Sequence, residues 1–175
     1  AEILQDALEE NFAIVQNLLR NAARRYLRLF RRIDSGAFLG DWSDEVSCPT
    51  RGLDLVERMI LLRKARAFRD AGLDSLAELA RQMEEERVEP GATLFRAGDV
   101  GRRIRLVVCG RVQCTEPASG RSFTAGAGFA LGSIEAYAGE PRRHDAVALD
   151  EVVALSTSVE VLLSLIHISE PTRPY

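Results

Sequence analysis

Between residues 2 and 33, apolar side chains recur every three or four positions: Ile3, Leu4, Ala7, Leu8, Phe12, Val15, Leu18, Leu19, Ala22, Tyr26, Leu29, Phe30 and Ile33. That spacing predicts helix, with Glu10-Asn11 as a point where it divides in two. Residues 34–52, DSGAFLGDWSDEVSCPTRG, carry three glycines, a proline and no period, and read as a linker. Helical spacing returns over 53–68 and again over 73–88, where Asp74 or Ser75 is the expected N-cap. From Pro90 the pattern changes to short runs rich in β-branched residues: ATLFRAGD, RRIRLVVCGRVQCTE, RSFTAG and HDAVALDEVVALST. Glycine-containing turns separate them, as in antiparallel β-structure. Ile104, Leu106 and Val108 alternate with Arg103, Arg105 and Val107, which predicts one face on a core and one wetter face. A further helix is expected from Ser158. Helices, then a run of strands, then a helix start make the class α+β and not α/β.

The two ends echo each other. VEVLL (159–163) and AEILQ (1–5) share an alternation of apolar residues around a glutamate. The echo suits a chain in which residues 1–33 close one module and residue 159 onward begins the same helices of a second. LSLIHISEPTRPY (163–175) leaves the helical period and resembles the in-frame translation of a sequencing-library adapter. On that reading the native chain stops near Leu162 or Leu163, and His167 and Arg173 carry no function.

Composition narrows the function classes. Net charge is −3, so a nucleic-acid surface would have to be local, and nucleic acid is not an expected partner. No apolar run approaches the ~18 residues a bilayer requires, and the first residues lack a secretory pattern. The expected location is therefore cytoplasmic. Cys48, Cys109 and Cys114 are odd in number and lack CxxC spacing, so buried or idle thiols in a reducing compartment are expected ahead of a disulfide or metal. Two histidines give a zinc site no support. No paired-acid, triad or P-loop signature marks an enzyme.

VEPGATLFRAGDVGRRIRLVVCGRVQCTE (88–116) resembles the opening of the cyclic-nucleotide-binding domain family. The shared positions are Pro90, Gly91, Leu94, Phe95, Gly98, Asp99, Leu106, Gly110 and Val112, with the glycines where a β-roll turns sharply. The helical lead-in, with Phe68 and Leu79 at apolar positions, is similar to the family's, and the resemblance spans about residues 55–162. It implies N-terminal helices followed by an antiparallel, jelly-roll-like β-roll with a truncated C-terminal helix. The implied organisation is 1–33 as closing helices of a preceding module, 34–52 as linker, 53–162 as the binding domain and 163–175 as a non-native tail.

In that family a short helix and loop between two strands hold the ligand phosphate, with one arginine neutralising it. The corresponding stretch here is ALGSIEAYAGEPRRHDAVAL (130–149). The resemblance implies a ligand-binding set of Gly132, Ser133, Ile134, Arg142 and Arg143, with a cyclic nucleotide or other small anion as ligand and no cofactor. Three departures stand against cAMP. Ser133 replaces the ribose-binding glutamate, Arg143 and His144 replace small residues, and Asp145 sets a carboxylate where the phosphate would come. Glu135 adds another acid. The plainer reading pairs the arginines with Asp145, Glu135 or Glu140 and leaves the loop without a ligand. His144 then reads as a surface or pairing residue.

Three other features read as structural. GAGFALG (126–132) superficially offers a dinucleotide-binding loop, but the preceding SGRSFTA is too short and polar for a buried parallel strand. Arg20, Arg24, Arg28, Arg31 and Arg32 lie near one helical face and read as its solvated side, as Glu84-Glu85-Glu86 does for a helix end. The expected function is a non-catalytic, regulatory ligand-sensing module of the cyclic-nucleotide type, with a protein partner beyond these residues. The alternative is a purely structural interaction roll that binds no nucleotide.

Overall fold

The computed structural model describes residues 16–28, 47–65, 68–69 and 71–168. Residues 16–28 form helix α1, and the remainder of the predicted 2–33 helix lies outside the described residues. Helix α2 spans Leu55–Lys64. Its start is fixed by a reciprocal cap: Glu57 N donates to Asp54 Oδ1 at 2.9 Å and Asp54 N donates to Glu57 Oε2 at 3.0 Å. Helix α3 spans Leu73–Gln82 with Gly72, not Asp74 or Ser75, at its N-cap.

The expected helix over 73–88 is corrected at its end. Glu84–Val88 is strand β1, paired antiparallel with β8 (Val152–Ser158). The glutamate run is thus not a solvated helix end. Glu86 Oε2 accepts from Arg105 Nε at 2.7 Å, Glu84 pairs with Arg103, and Glu85 Oε2 accepts from Leu53 N at 2.7 Å. Charges that alternate along β1 find their opposites on a strand two places away in the sheet, and this cross-strand pairing outweighs helix propensity.

The strands β2 (Thr93–Phe95), β3 (Arg103–Cys109), β4 (Val112–Thr115), β5 (Ser122–Ala125), β6 (Ala130–Leu131) and β7 (Asp145–Ala148) complete an antiparallel roll with β1 and β8. One sheet has the order β1-β8-β3-β6 and the other β2-β7-β4-β5. Gly110, at φ 80°, turns β3 into β4, and the other motif glycines, Gly91 and Gly98, share its positive φ. Helix α4 (Ser133–Ala138) lies between β6 and β7, and α5 begins at Val159 with Ser158 Oγ accepting from Val161 N at 3.2 Å. The helical backbone of α5 continues through Ile168, past the break expected at 163, because neither proline nor glycine interrupts 159–168.

Two cores result. Val107, Val112, Cys114, Ala125, Leu131, Ala146, Ala148 and Val152 fill the inside of the roll. Leu62, Leu76, Leu79, Ile104, Leu106, Val153, Leu155 and Leu162 join α2, α3 and α5 to the outer face of the first sheet. Each fully buried leucine contributes about 1.5–3 kcal/mol. Strand β3 serves both cores. A register shift between Val107 and Cys109 leaves Val107, Val108 and Cys109 all buried, so the expected wet face exists only at Arg103 and Arg105.

The cysteine expectation is also corrected. Cys48 and Cys109 form a disulfide, with Cα atoms 5.3 Å apart across a sequence separation of 61. The segment leading into α2 is laid along the roll, where Arg87 donates to Pro49 O and Arg51 O at 2.9 and 2.8 Å, and this brings Cys48 to the end of β3. Cys114 is a buried free thiol. No helix among the described residues is long and apolar enough to cross a membrane.

Candidate ligand-binding site

A cavity of about 320 Å³ opens beside α4, at the small end of the ~300–1,000 Å³ typical of ligand pockets. Its walls are largely apolar, with Phe95, Phe123 and Phe129 from the roll, Leu131 and Ile134 around the start of α4, and Leu27 from α1. Gly132, Ser133, Glu135, Arg143 and His144 supply most of its polarity. Of the five residues expected at the site, four line this space. Arg142 does not.

The turn before α4 explains why. Gly132 sits at φ 68° and serves as the N-cap of the helix. A Cβ there would overlap the Arg142 guanidinium, so this position requires glycine on two counts. Arg142 is 3% exposed. Its Nη1 donates to Gly132 O and its Nη2 to Arg103 O, while the guanidinium lies 4.9 Å from the centre of the Phe95 ring. Its own backbone is fixed as well, with Arg142 N donating to Asp99 O and Gly98 N donating to Arg142 O. The residue ties α4, β3 and the β2–β3 turn together. Burial pushes its guanidinium below the ordinary arginine value, opposed by Glu135 and Asp99. Neither arginine forms a direct bond with Asp145, Glu135 or Glu140, as the pairing expectation had it.

Arg143 faces a different set of groups. Its Nη2 donates to Glu116 Oε1 at 2.5 Å, and its Nη1 is buried with no hydrogen-bond partner. Glu116 is braced in turn by Ser119 Oγ at 2.5 Å and Arg121 Nη2 at 3.2 Å. The Ser119 hydrogen bond first, and then Arg143, hold its carboxyl down at about 2. Glu116 was not singled out from the sequence. It lies 27 positions from Arg143, and nothing in the local pattern joins them.

The other expected contacts are redistributed. Ser133 opens α4, and its hydroxyl donates to Ala130 O at 3.1 Å. Asp145 is not among the lining residues: its Oδ1 accepts from Ala97 N at 2.8 Å and closes the turn after β2. His144 is not a surface residue. Its half-buried ring stands edge-on to Phe123 with centres 5.3 Å apart, and burial pushes its pKa down, so the imidazole is neutral at pH 7. Cys114, also on the wall, is pushed up to about 12 by burial and by Glu135, so it is not a nucleophile.

Helix α1 covers one side of the cavity. Leu27 is its buried residue, Tyr26 lines the same space, and Arg24 Nε donates to Ala138 O at 3.2 Å beside an ion pair with Glu140 at 3.5 Å. Among the predicted stripe of arginines, Arg24 is thus partly used in packing, while Arg31 and Arg32 lie outside the described residues. The loop read as unfit for dinucleotide binding leads from β5 to β6, both in antiparallel sheets. No group of three or more His, Cys, Asp or Glu suited to a metal occurs among the described residues.

Residues 85–169 match the family described as "Cyclic nucleotide-binding domain". A cyclic nucleotide-gated potassium channel of Rhizobium etli is 31% identical over 106 residues, which is 61% of this chain and 29% of the channel. The chain therefore spans less than a third of that relative's length. The N-terminal domain of a transcriptional regulator from Streptomyces coelicolor A3(2) is 29% identical at a TM-score of 0.54, covering 62% of this chain and 78% of that one. The regulatory domain of Toxoplasma gondii PKA, solved with cAMP, reaches a TM-score of 0.59 at 19% identity over 63% of this chain and 44% of its own, a likeness of fold alone. A β-roll with α4 between β6 and β7, glycines at its turns and a cavity beside that helix agrees with this match. The segment 85–169, just under half of the chain, is what carries the match to the cyclic nucleotide-binding domain family.

Proposed function

We propose that this roll is a non-catalytic ligand-sensing module with a degenerate nucleotide site. One observation carries the reading. The cavity beside α4 persists, while the arginine that the family resemblance assigns to phosphate is turned into the fold and held by two backbone carbonyls. A site built for a cyclic nucleotide needs a free cation for the phosphate and an acceptor for the ribose hydroxyl. Arg142 and Ser133 are both otherwise engaged. The family's regulatory logic, in which an occupied roll biases the position of packed helices, would apply here to α1 and α5, both of which border α4.

The purely structural roll is the second reading, favoured by the burial of Leu27 against the cavity. Calorimetry and thermal shift with cAMP, cGMP and small ring-bearing acids separate the two. Saturable binding that disappears when Ile134→Trp fills the cavity is expected for a sensor. The absence of any saturable ligand up to millimolar concentration would leave the structural roll. The output partner would be a protein or segment beyond these residues. The cytoplasmic expectation rested on the lack of a bilayer-length apolar run and of a secretory pattern, and the Cys48–Cys109 pairing departs from the reducing compartment expected alongside it.

A further inference from the structure

The cavity has the chemistry to select its own ligand class. Among the described residues of its lining the only arginine or lysine is Arg143, Glu135 is a carboxylate, and His144 is neutral. Arg143 is half-spent: Nη2 is bound to Glu116, and Nη1 is buried without a partner. A buried donor left unmet is destabilising, so a small shift of the side chain that brings Nη1 to an acceptor in the cavity is favoured. On the rest of the wall, Glu135 is a carboxylate acceptor for a hydroxyl, and the apolar surface outweighs it. The Ser133 hydroxyl proton is given to Ala130 O, and Phe95, Phe123, Phe129, Leu131 and Ile134 provide apolar surface. A polyhydroxylated ligand would set most of its hydroxyls against this apolar surface.

We propose that this site takes a compact apolar acid, one carboxylate on a ring or branched alkyl body, with the carboxylate on the Arg143 guanidinium and the body against the three phenylalanines. This rests on the sensing reading and names the ligand class for the same cavity. Arg143 is then the specificity-determining cation, one position along from the arginine that the family resemblance selects. Glu116 moderates it. By holding Nη2, it takes the nitrogen that either two-pronged grip of the guanidinium needs, which suits contact with one carboxylate oxygen better than with the several oxygens of a phosphodiester.

The test uses phenylacetate, its uncharged counterpart phenylacetamide, and cAMP as probes, titrated into the whole chain by calorimetry. Phenylacetate is expected to bind saturably and phenylacetamide at least about tenfold more weakly, since a charge-assisted hydrogen bond is lost. Arg143→Gln is expected to abolish that preference. Should Arg143→Gln fail to fold, Glu116→Ala provides the second arm: it frees Nη2 and is expected to tighten phenylacetate several-fold while leaving phenylacetamide unchanged. Tighter binding of cAMP than of phenylacetate, lost in Arg142→Lys, would overturn the ligand class and leave the sensing reading standing. Equal binding of acid and amide would overturn the role of Arg143 alone. Failure of all three probes to bind folded protein would overturn the ligand class, with the sensing reading then decided by the wider ligand series.

Discussion

Arg142 offers the sharpest test of whether a motif residue has kept its motif role. Replace it with lysine and measure the stability of the ligand-free protein. In the folded chain its guanidinium gives two hydrogen bonds to carbonyls, on Gly132 and Arg103, and rests on Phe95. Hydrogen bonds from a charged donor contribute about 1.5–3 kcal/mol each, and the ring contact about 0.5–2 kcal/mol. Against these stands the cost of burying a cation that is 3% exposed and whose Nε has no partner, several kcal/mol for an ion in a protein interior. Lysine keeps that burial cost, reaches one carbonyl at best, and leaves the other unmet. The expected net loss is about 2–3 kcal/mol, a fall in Tm of roughly 5–10 °C for a chain of this size. Urea unfolding followed by circular dichroism measures it, with the m-value checked to exclude a change in cooperativity. An arginine held out for a ligand behaves oppositely, because its removal from the empty protein is neutral or stabilising. A loss below about 0.5 kcal/mol would refute the bracing role argued here and return Arg142 to the ligand.

Three further outcomes are expected. Gly132→Ala should destabilise far more than Gly139→Ala: both sit at positive φ, 68° and 66°, but only at Gly132 does the added carbon meet the Arg142 guanidinium. Thermal melts of the pair should differ by several degrees, and equal losses would refute the contact. Reduction of the Cys48–Cys109 bridge should lower stability by about 2–4 kcal/mol, given a closed loop of 61 residues, as read from melts with and without reductant against a Cys48→Ser, Cys109→Ser double variant. Acid sensitivity follows from two groups. Glu116 has a folded pKa of about 2 against an ordinary 4.5, so its contribution is full above pH 4.5 and is lost as pH falls toward 2. Solvent screening at this loop reduces it to about 1–2 kcal/mol, and Glu116→Gln should flatten the stability profile in that window. His144, whose pKa burial depresses below 6.5, makes stability fall as pH drops below 6.5, and His144→Phe should remove that slope.

What could be read from the chain depended on how far apart the deciding partners lie. The turn glycines, the β3–β4 hairpin and the capped entry to α5 are local, and their residues announce them. Strand β1 was not legible as a strand, since Glu84, Glu85 and Glu86 suit the end of a helix equally well. Only Arg103 and Arg105, on β3 about twenty positions on, make an extended conformation the better one. The disulfide was hidden for the same reason, its halves 61 residues apart with no spacing signature. Around the cavity, resemblance pointed to a segment of which Gly132, Ser133, Ile134 and Arg143 line the space. The roles within it were not legible. Asp145 looked like a carboxylate facing a phosphate and instead closes a turn on Ala97.

Arg142 and Arg143 are neighbours in sequence, yet their availability to a ligand differs in kind. To meet an anion, Arg142 would have to release Gly132 O and Arg103 O together, parting the start of α4 from β3 and leaving two buried carbonyls unmet. That costs about 2–6 kcal/mol before any ligand contact is gained. Arg143 needs a smaller change: its side chain must shift to present a buried terminal nitrogen that has no partner, and the other nitrogen exchanges a carboxylate for a carboxylate if Glu116 turns away. Competition between the two for any acidic ligand is therefore decided by the bonds each would break. It favours Arg143 even though the sequence motif points to Arg142.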